Sequence, residues 1–177
     1  MKRVVVDACV TVAAGAGVGE REPAPESVAV LDAIRDRGRQ FGDVRLAMNR
    51  DLEAEWTAGE GEYAQIWLAD MMSRRLVDQV EGGWDDEGEL LRCASNNHRK
   101  PILHDIHLVR LAMTTDQRLV TLENKLPKYL RATVLRSGRP ASLRSLHVVS
   151  PVRPTSVGWI GAGAPEDQTW YLIQPDP

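Results

Sequence analysis

The stretch from Asp105 to Glu123, D-I-H-L-V-R-L-A-M-T-T-D-Q-R-L-V-T-L-E, constrains the fold of this chain more than any other. Ile106, Val109, Ala112 and Met113 recur at helical spacing, and Leu108 and Leu111 widen the apolar face. Thr114, Thr115, Asp116 and Gln117 end that pattern. Leu119, Val120, Thr121 and Leu122 then run on with no charge among them, as in a strand buried on both faces. Such a strand needs covering elements on both sides, so helix followed by strand here is half of an α/β unit. Asp105 opens the helix, where a carboxylate suits the positive end of the helix dipole. Asp116 and Glu123 stand at opposite ends of the strand. Chemistry in open α/β sheets sits outside the carboxyl ends of strands, which is the end Glu123 occupies.

The rest of the chain repeats the alternation. Val4, Val5 and Val6 form a short buried strand ending at Asp7, and a helix follows from Ala8. Gly15, Gly17 and Gly19, with Pro23 and Pro25, mark a loop. Pro25 suits the first turn of a helix through Val28, Leu31 and Ile34 that stops at Gly38. Val44, Leu46 and Met48 define a second strand, and Asn49 is placed to N-cap the helix from Arg50 to about Ala58. Gly59 and Gly61 interrupt that pattern. Tyr63 to Val80 is the longest helical pattern, with Trp67, Met71 and Met72 as core. Glu89–Ser95 reads as a further helix, and Asn96–Pro101 as a polar connection. Pro127 opens a short helix, and Val148-Val149 is a last strand. Together these predict an α/β fold with a mainly parallel sheet and helices on both faces.

A domain over residues 1–150 and a C-terminal extension over 151–177 are expected. The extension is broken by Pro and Gly, but Trp159, Trp170 and Tyr171 are too apolar for disorder. Its two apolar ends fit a hairpin packed on the domain or on a neighbouring subunit. No run reaches the length of a membrane span, and the Met1–Asp7 opening does not read as a signal peptide. Cys9 and Cys93 have no metal or redox spacing and fit free thiols in the cytoplasm. Residues 97–144 carry ten Lys and Arg against three acids, while the first 96 residues are acidic on balance. That asymmetry suits either steering of a polyanion or an ordinary solvated face balanced elsewhere in space.

Four acids lie where chemistry would sit: Asp7 and Glu123 at strand ends, Asp105 at a helix start, and Glu55 in the helix after the second strand. Each alone has an ordinary use, as a cap or a solvated helix residue. Gathered together they would repel, so convergence implies a hard divalent cation, Mg²⁺ or Mn²⁺, with oxygen ligands. The matching substrate is a phosphodiester. Asp116 lies at the wrong strand end and reads as a turn residue. His98, His104 and His107 read as surface or capping residues, and Thr121 as either strand packing or a partner to an acid.

V-V-V-D-A-C-V, M-N-R-D-L-E-A-E-W and H-D-I-H-L-V-R-L-A-M-T-T-D-Q-R-L-V-T-L-E together resemble the PIN-domain nucleases over about residues 3–150. The resemblance implies a three-layer α/β/α sandwich and a metal-dependent endoribonuclease acting on single-stranded RNA. Asp7, Glu55, Asp105 and Glu123 would be its acidic positions, the last a Glu where the family usually has Asp or Asn. Many bacterial members are toxins of toxin–antitoxin pairs and form homodimers, which implies an antitoxin and a second copy as partners. Arg99, Lys100, Lys125 and Lys128 are candidates for phosphate contacts. A PIN-like module that binds RNA or protein without cutting stays open, as does a DNA-directed nuclease. The absence of a Gly-rich dinucleotide loop, a Walker loop or a D-x-D start argues against dinucleotide, ATPase and HAD-type phosphatase chemistry.

Overall fold

The structure, a computed structural model, describes residues 1–15, 22–58 and 62–174. In chain order its regular elements are β1 (Lys2–Val6), α1 (Ala8–Ala14), α2 (Pro25–Phe41), β2 (Val44–Met48), α3 (Arg50–Ala58) and α4 (Glu62–Ser73). They continue with β3 (Val77–Gln79), α5 (Glu87–Cys93), α6 (Asn96–His104), α7 (Ile106–Thr114) and β4 (Arg118–Val120). Last come α8 (Lys125–Ser137), β5 (His147–Val149) and α9 (Ser156–Gly161).

The strands form one all-parallel sheet in the order β3-β2-β1-β4-β5. Right-handed crossovers then put α1–α4 on one face and α5–α8 on the other. The result is an α/β fold, consistent with the expected three-layer α/β/α sandwich. Val4, Val5, Val6, Leu46, Ala47, Met48, Leu119 and Val120 are fully buried, as continuous apolar strands under two helical layers must be. Among the described residues no helix is long and apolar enough to cross a membrane.

Several local expectations change. The pattern over Tyr63–Val80 is not one helix. It ends at Ser73, turns through Arg75 in the left-handed region (φ 57°), and continues as edge strand β3. Val77 and Asp78 are only partly buried and Gln79 is exposed, so no apolar run announces that strand. Asn96–Pro101 is helical rather than a connection, and only Ile102 of α6 is buried. The helix begun by Pro25 passes Gly38 and ends at Gly42 in the left-handed conformation (φ 68°). Gly38 is a packing glycine: a Cβ there would lie 2.8 Å from the Val44 carbonyl oxygen and 3.1 Å from Leu76 Cδ1. The Gly17–Gly19 loop and the Gly59 and Gly61 break lie outside the described residues.

Residues 151–174 do not form the expected hairpin. They contain α9 and a 3₁₀ turn over Gln168–Trp170, with one antiparallel bridge from Tyr171 to His147. The segment lies against α2 and β5, and Trp159, Ile160, Trp170, Leu172 and Ile173 join the same core as the sheet. Buried Arg118 donates through Nε to the Ala164 carbonyl, Arg37 donates to that of Gly161, and Leu172 N donates to that of Leu146. These long-range bonds replace the cross-strand ladder that a hairpin would have made.

Candidate active site

In this strand order the chain runs outward from β1 to β3, then returns and runs outward again through β4 and β5. The switch point therefore falls between β1 and β4, the place where open α/β sheets leave a crevice. Asp7 and Thr121 meet there. Asp7 follows the last residue of β1 and caps α1, its Oδ1 accepting from Cys9 N–H at 3.0 Å. Its Oδ2 accepts from the Thr121 hydroxyl at 2.6 Å, and the residue is only 9 % exposed. Thr121 Oγ1 in turn accepts from the backbone N–H of Glu123 at 2.9 Å. Glu123 Oε1 accepts from Lys125 N–H at 2.6 Å and so closes the first turn of α8. One threonine thus connects the acid after β1 to the acid after β4.

Asp105 reaches the same edge by another route. Helix α7 leads directly into β4 at that strand's amino end, so its own amino end lies toward the carboxyl edge of the sheet. Asp105 sits at the corner between α6 and α7, and its side chain does not cap α7. The carboxylate instead faces His104, with Oδ1 2.6 Å from Nδ1, and this bond raises the exposed imidazole above its ordinary pKa. Asp105 and Glu123 line one cavity of about 560 Å³ together with Lys100, His104 and Lys125.

Glu55 lies on α3, whose second turn is pinned over β1 by Trp56 Nε1 donating to the Val6 carbonyl at 3.0 Å. Its Oε2 accepts from His107 Nε2 at 3.1 Å. His107 is 7 % exposed, so it is neither a surface nor a capping residue but a buried brace from α7 to the acid on α3. His98 stacks on Tyr129, with ring centroids 4.6 Å apart. Asp116, at the opposite end of β4, accepts from Arg3 N–H at 2.9 Å and belongs to a turn.

Three of the four acids are linked: the Asp7 carboxylate is tied through Thr121 to the backbone N–H of Glu123, and Asp105 shares a cavity with Glu123. Glu55 is held instead by His107, two places beyond Asp105. Among the described residues no three His, Cys, Asp or Glu side chains stand close enough together to hold an ion by themselves. The donors are carboxylate oxygens, and Mg²⁺ usually takes one or two protein carboxylates directly and fills its octahedron with water. Asp105 and Glu123, the two carboxylates that line one cavity, match that donor chemistry. The thiol of Cys9 is pushed up to about 12, first by burial and then by the Asp7 charge.

Of the basic candidates, Lys100 and Lys125 line the Asp105–Glu123 cavity. Lys128 lines a second, larger one of about 760 Å³. Arg99 turns back to donate to the Leu91 carbonyl and lines neither. Arg131 and Arg153 do line the larger cavity and carried no sequence signal beyond their charge.

Comparison of this chain with family models, with curated proteins and with solved structures returned no match. The fold and site by themselves define an all-parallel α/β protein with carboxylates at its topological switch point.

Proposed function

We propose that this protein is a Mg²⁺- or Mn²⁺-dependent endoribonuclease of PIN type, hydrolysing phosphodiester bonds of single-stranded RNA. The observation that carries the reading is the Asp7–Thr121–Glu123 linkage at the switch point, with Asp105 beside Glu123. Asp7, Asp105 and Glu123 would hold the cation, and Glu55 would act from its place against His107. A bound divalent cation supplies phosphate charge shielding and a more acidic water. The Thr121 hydroxyl and the Cys9 N–H fix both oxygens of Asp7 in orientation, so the carboxylate needs no rearrangement to serve as a ligand. His107 holds one oxygen of Glu55 in place, the Glu55 side chain being 41 % exposed. Lys100 and Lys125, which flank the acids, would meet the phosphates. An antitoxin partner and a homodimer belong to the same proposal and rest on the resemblance alone, while a cytoplasmic setting rests on the free thiols of Cys9 and Cys93.

Glu123, standing where the PIN family usually has Asp or Asn, and the aromatic extension fit a second reading, a PIN-like module that binds without cutting. One pair of experiments separates the two. Asp7→Asn and Asp105→Asn should each abolish Mn²⁺-dependent cleavage of a single-stranded RNA while leaving the circular dichroism spectrum unchanged. Full activity in both purified variants refutes the catalytic role. A wild-type protein that shows no heat of Mn²⁺ binding at millimolar metal supports the binding module. Parallel single-stranded DNA tells which nucleic acid is cut.

A further inference from the structure

We infer that the C-terminal extension forms one wall of a groove that holds single-stranded nucleic acid beside the acidic edge. The cavity of about 760 Å³ runs between α8 and residues 169–174. Lys128 and Arg131 on α8 stand on one side, and Arg153, Trp170 and Tyr171 of the extension on the other. Thr121 and Glu123 lie at its inner end, so the groove opens directly onto the linkage that carries Asp7. Glu123 also lines the neighbouring cavity with Lys100, Asp105 and Lys125. The two cavities therefore share a residue at the acids and carry basic side chains on both sides of it.

The chemistry selects the occupant. The larger cavity has three basic side chains against one carboxylate, Glu123. Lys128, Arg131 and Arg153 are exposed, and neither Lys128 nor Arg131 is engaged by an acid among the described residues. Arg153 is held over the Trp170 ring at 5.3 Å, which stiffens it without neutralising it. Tyr171, which also lines the groove, is half-buried; its hydroxyl donates to Glu166 Oε1 at 2.7 Å and its ring meets His147 edge-on with centroids 4.9 Å apart, which holds the residue rigid. A row of unneutralised cations beside a fixed aromatic ring is the pattern that binds a phosphate backbone and a stacked base. A duplex would need a broad exposed face, whereas this cleft is bounded on both sides.

This inference rests on the proposed nuclease reading for what lies at the groove's end, but it is tested apart from catalysis. Fluorescence anisotropy of a 5′-labelled twelve-nucleotide oligo-U and its oligo-dT counterpart is measured in excess EDTA with the full chain. Arg131→Ser with Arg153→Ser should weaken binding at least about tenfold and reduce the slope of log K against log salt by about 1.4, as expected for two lost single-strand contacts. Tyr171→Leu should weaken binding about fivefold with little change in that slope. Lys128→Glu with Arg131→Glu, both exposed on α8, provides a second test that leaves the extension untouched. Arg74→Ser, remote from the groove, is the control. Unchanged affinity in both multiple variants overturns the groove, even if the wild type cleaves RNA. No binding of either oligonucleotide by wild type at 50 mM salt also overturns it. Wild-type binding that these variants abolish, without any cleavage in Mn²⁺, leaves the groove standing and removes the nuclease reading.

Discussion

Replacing Thr121 by Val tests the physical centre of the site. The hydroxyl is 2 % exposed at residue level, donates to Asp7 Oδ2 at 2.6 Å, and accepts from Glu123 N–H at 2.9 Å. A hydrogen bond to a charged group contributes about 1.5–3 kcal/mol. Leaving the Glu123 N–H without its acceptor adds about 1 kcal/mol. The new methyl group returns about 0.8 kcal/mol of apolar burial. Thr121→Val should therefore lose about 2–3 kcal/mol of stability. Thr121→Ser keeps both bonds and should lose about 1 kcal/mol or less. Urea unfolding followed by tryptophan fluorescence resolves the difference, because an m-value of about 2 kcal/mol/M puts the Val midpoint about 1 M below wild type. Val and Ser variants with the same midpoint would show that the Asp7–Thr121 bond does not hold the strand ends together. The reasoning about a pre-oriented carboxylate would then fail with it.

Further outcomes follow from other parts of the molecule. Gly38→Ala gains about 1 kcal/mol of helix propensity but places a Cβ 2.8 Å from the Val44 carbonyl oxygen, so overpacking of about 1–3 kcal/mol should leave it less stable; a raised melting temperature would contradict this. His147 is held below its ordinary pKa by burial and then by Arg118, and it faces Glu166, Asp167 and Tyr171. Its folded state therefore resists protonation. Its contribution is fully present above the unfolded value of about 6.5 and is lost as pH falls below it, at no more than about 1.4 kcal/mol per pH unit. The melting temperature of wild type should thus fall more steeply than that of His147→Gln between pH 7 and 5, and parallel profiles would exclude His147 as the cause. His107→Ala leaves Glu55 without its brace and should raise the Mn²⁺ dissociation constant several-fold by calorimetry if Glu55 acts at the site; unchanged affinity would remove Glu55 from the ligand environment.

The parts of the fold that were legible were those whose environment is uniform along the chain. Val4–Val6 and Leu119–Val120 are fully buried, so every position is apolar and the run stands out, while in Val44–Met48 the buried Val44, Leu46, Ala47 and Met48 outweigh the single half-buried Arg45. Strand β3 was missed because it lies at the sheet edge, where V-D-Q satisfies both a solvated face and an ion pair from Asp78 to Arg45. Helix α6 was missed because it buries only Ile102, and N-N-H-R-K-P carries no periodic apolar signal. The extension misled for a related reason: two apolar ends around a Gly-rich middle suit a hairpin or a helix-and-turn equally. Docking on α2 and β5 chose the second.

The sequence by itself determined which residues end the strands, and so where charge would gather. Asp7 and Glu123 follow buried apolar runs, and Asp105 opens an apolar helix, because burial and helix dipoles act on neighbours in the chain. Only the tertiary structure decided which of those groups touch. Thr121 meets Asp7 across 114 positions and His107 meets Glu55 across 52, through bonds created when β4 pairs beside β1 and α7 packs near α3. Contacts between distant segments depend on strand order and helix packing, which no local pattern of residues encodes.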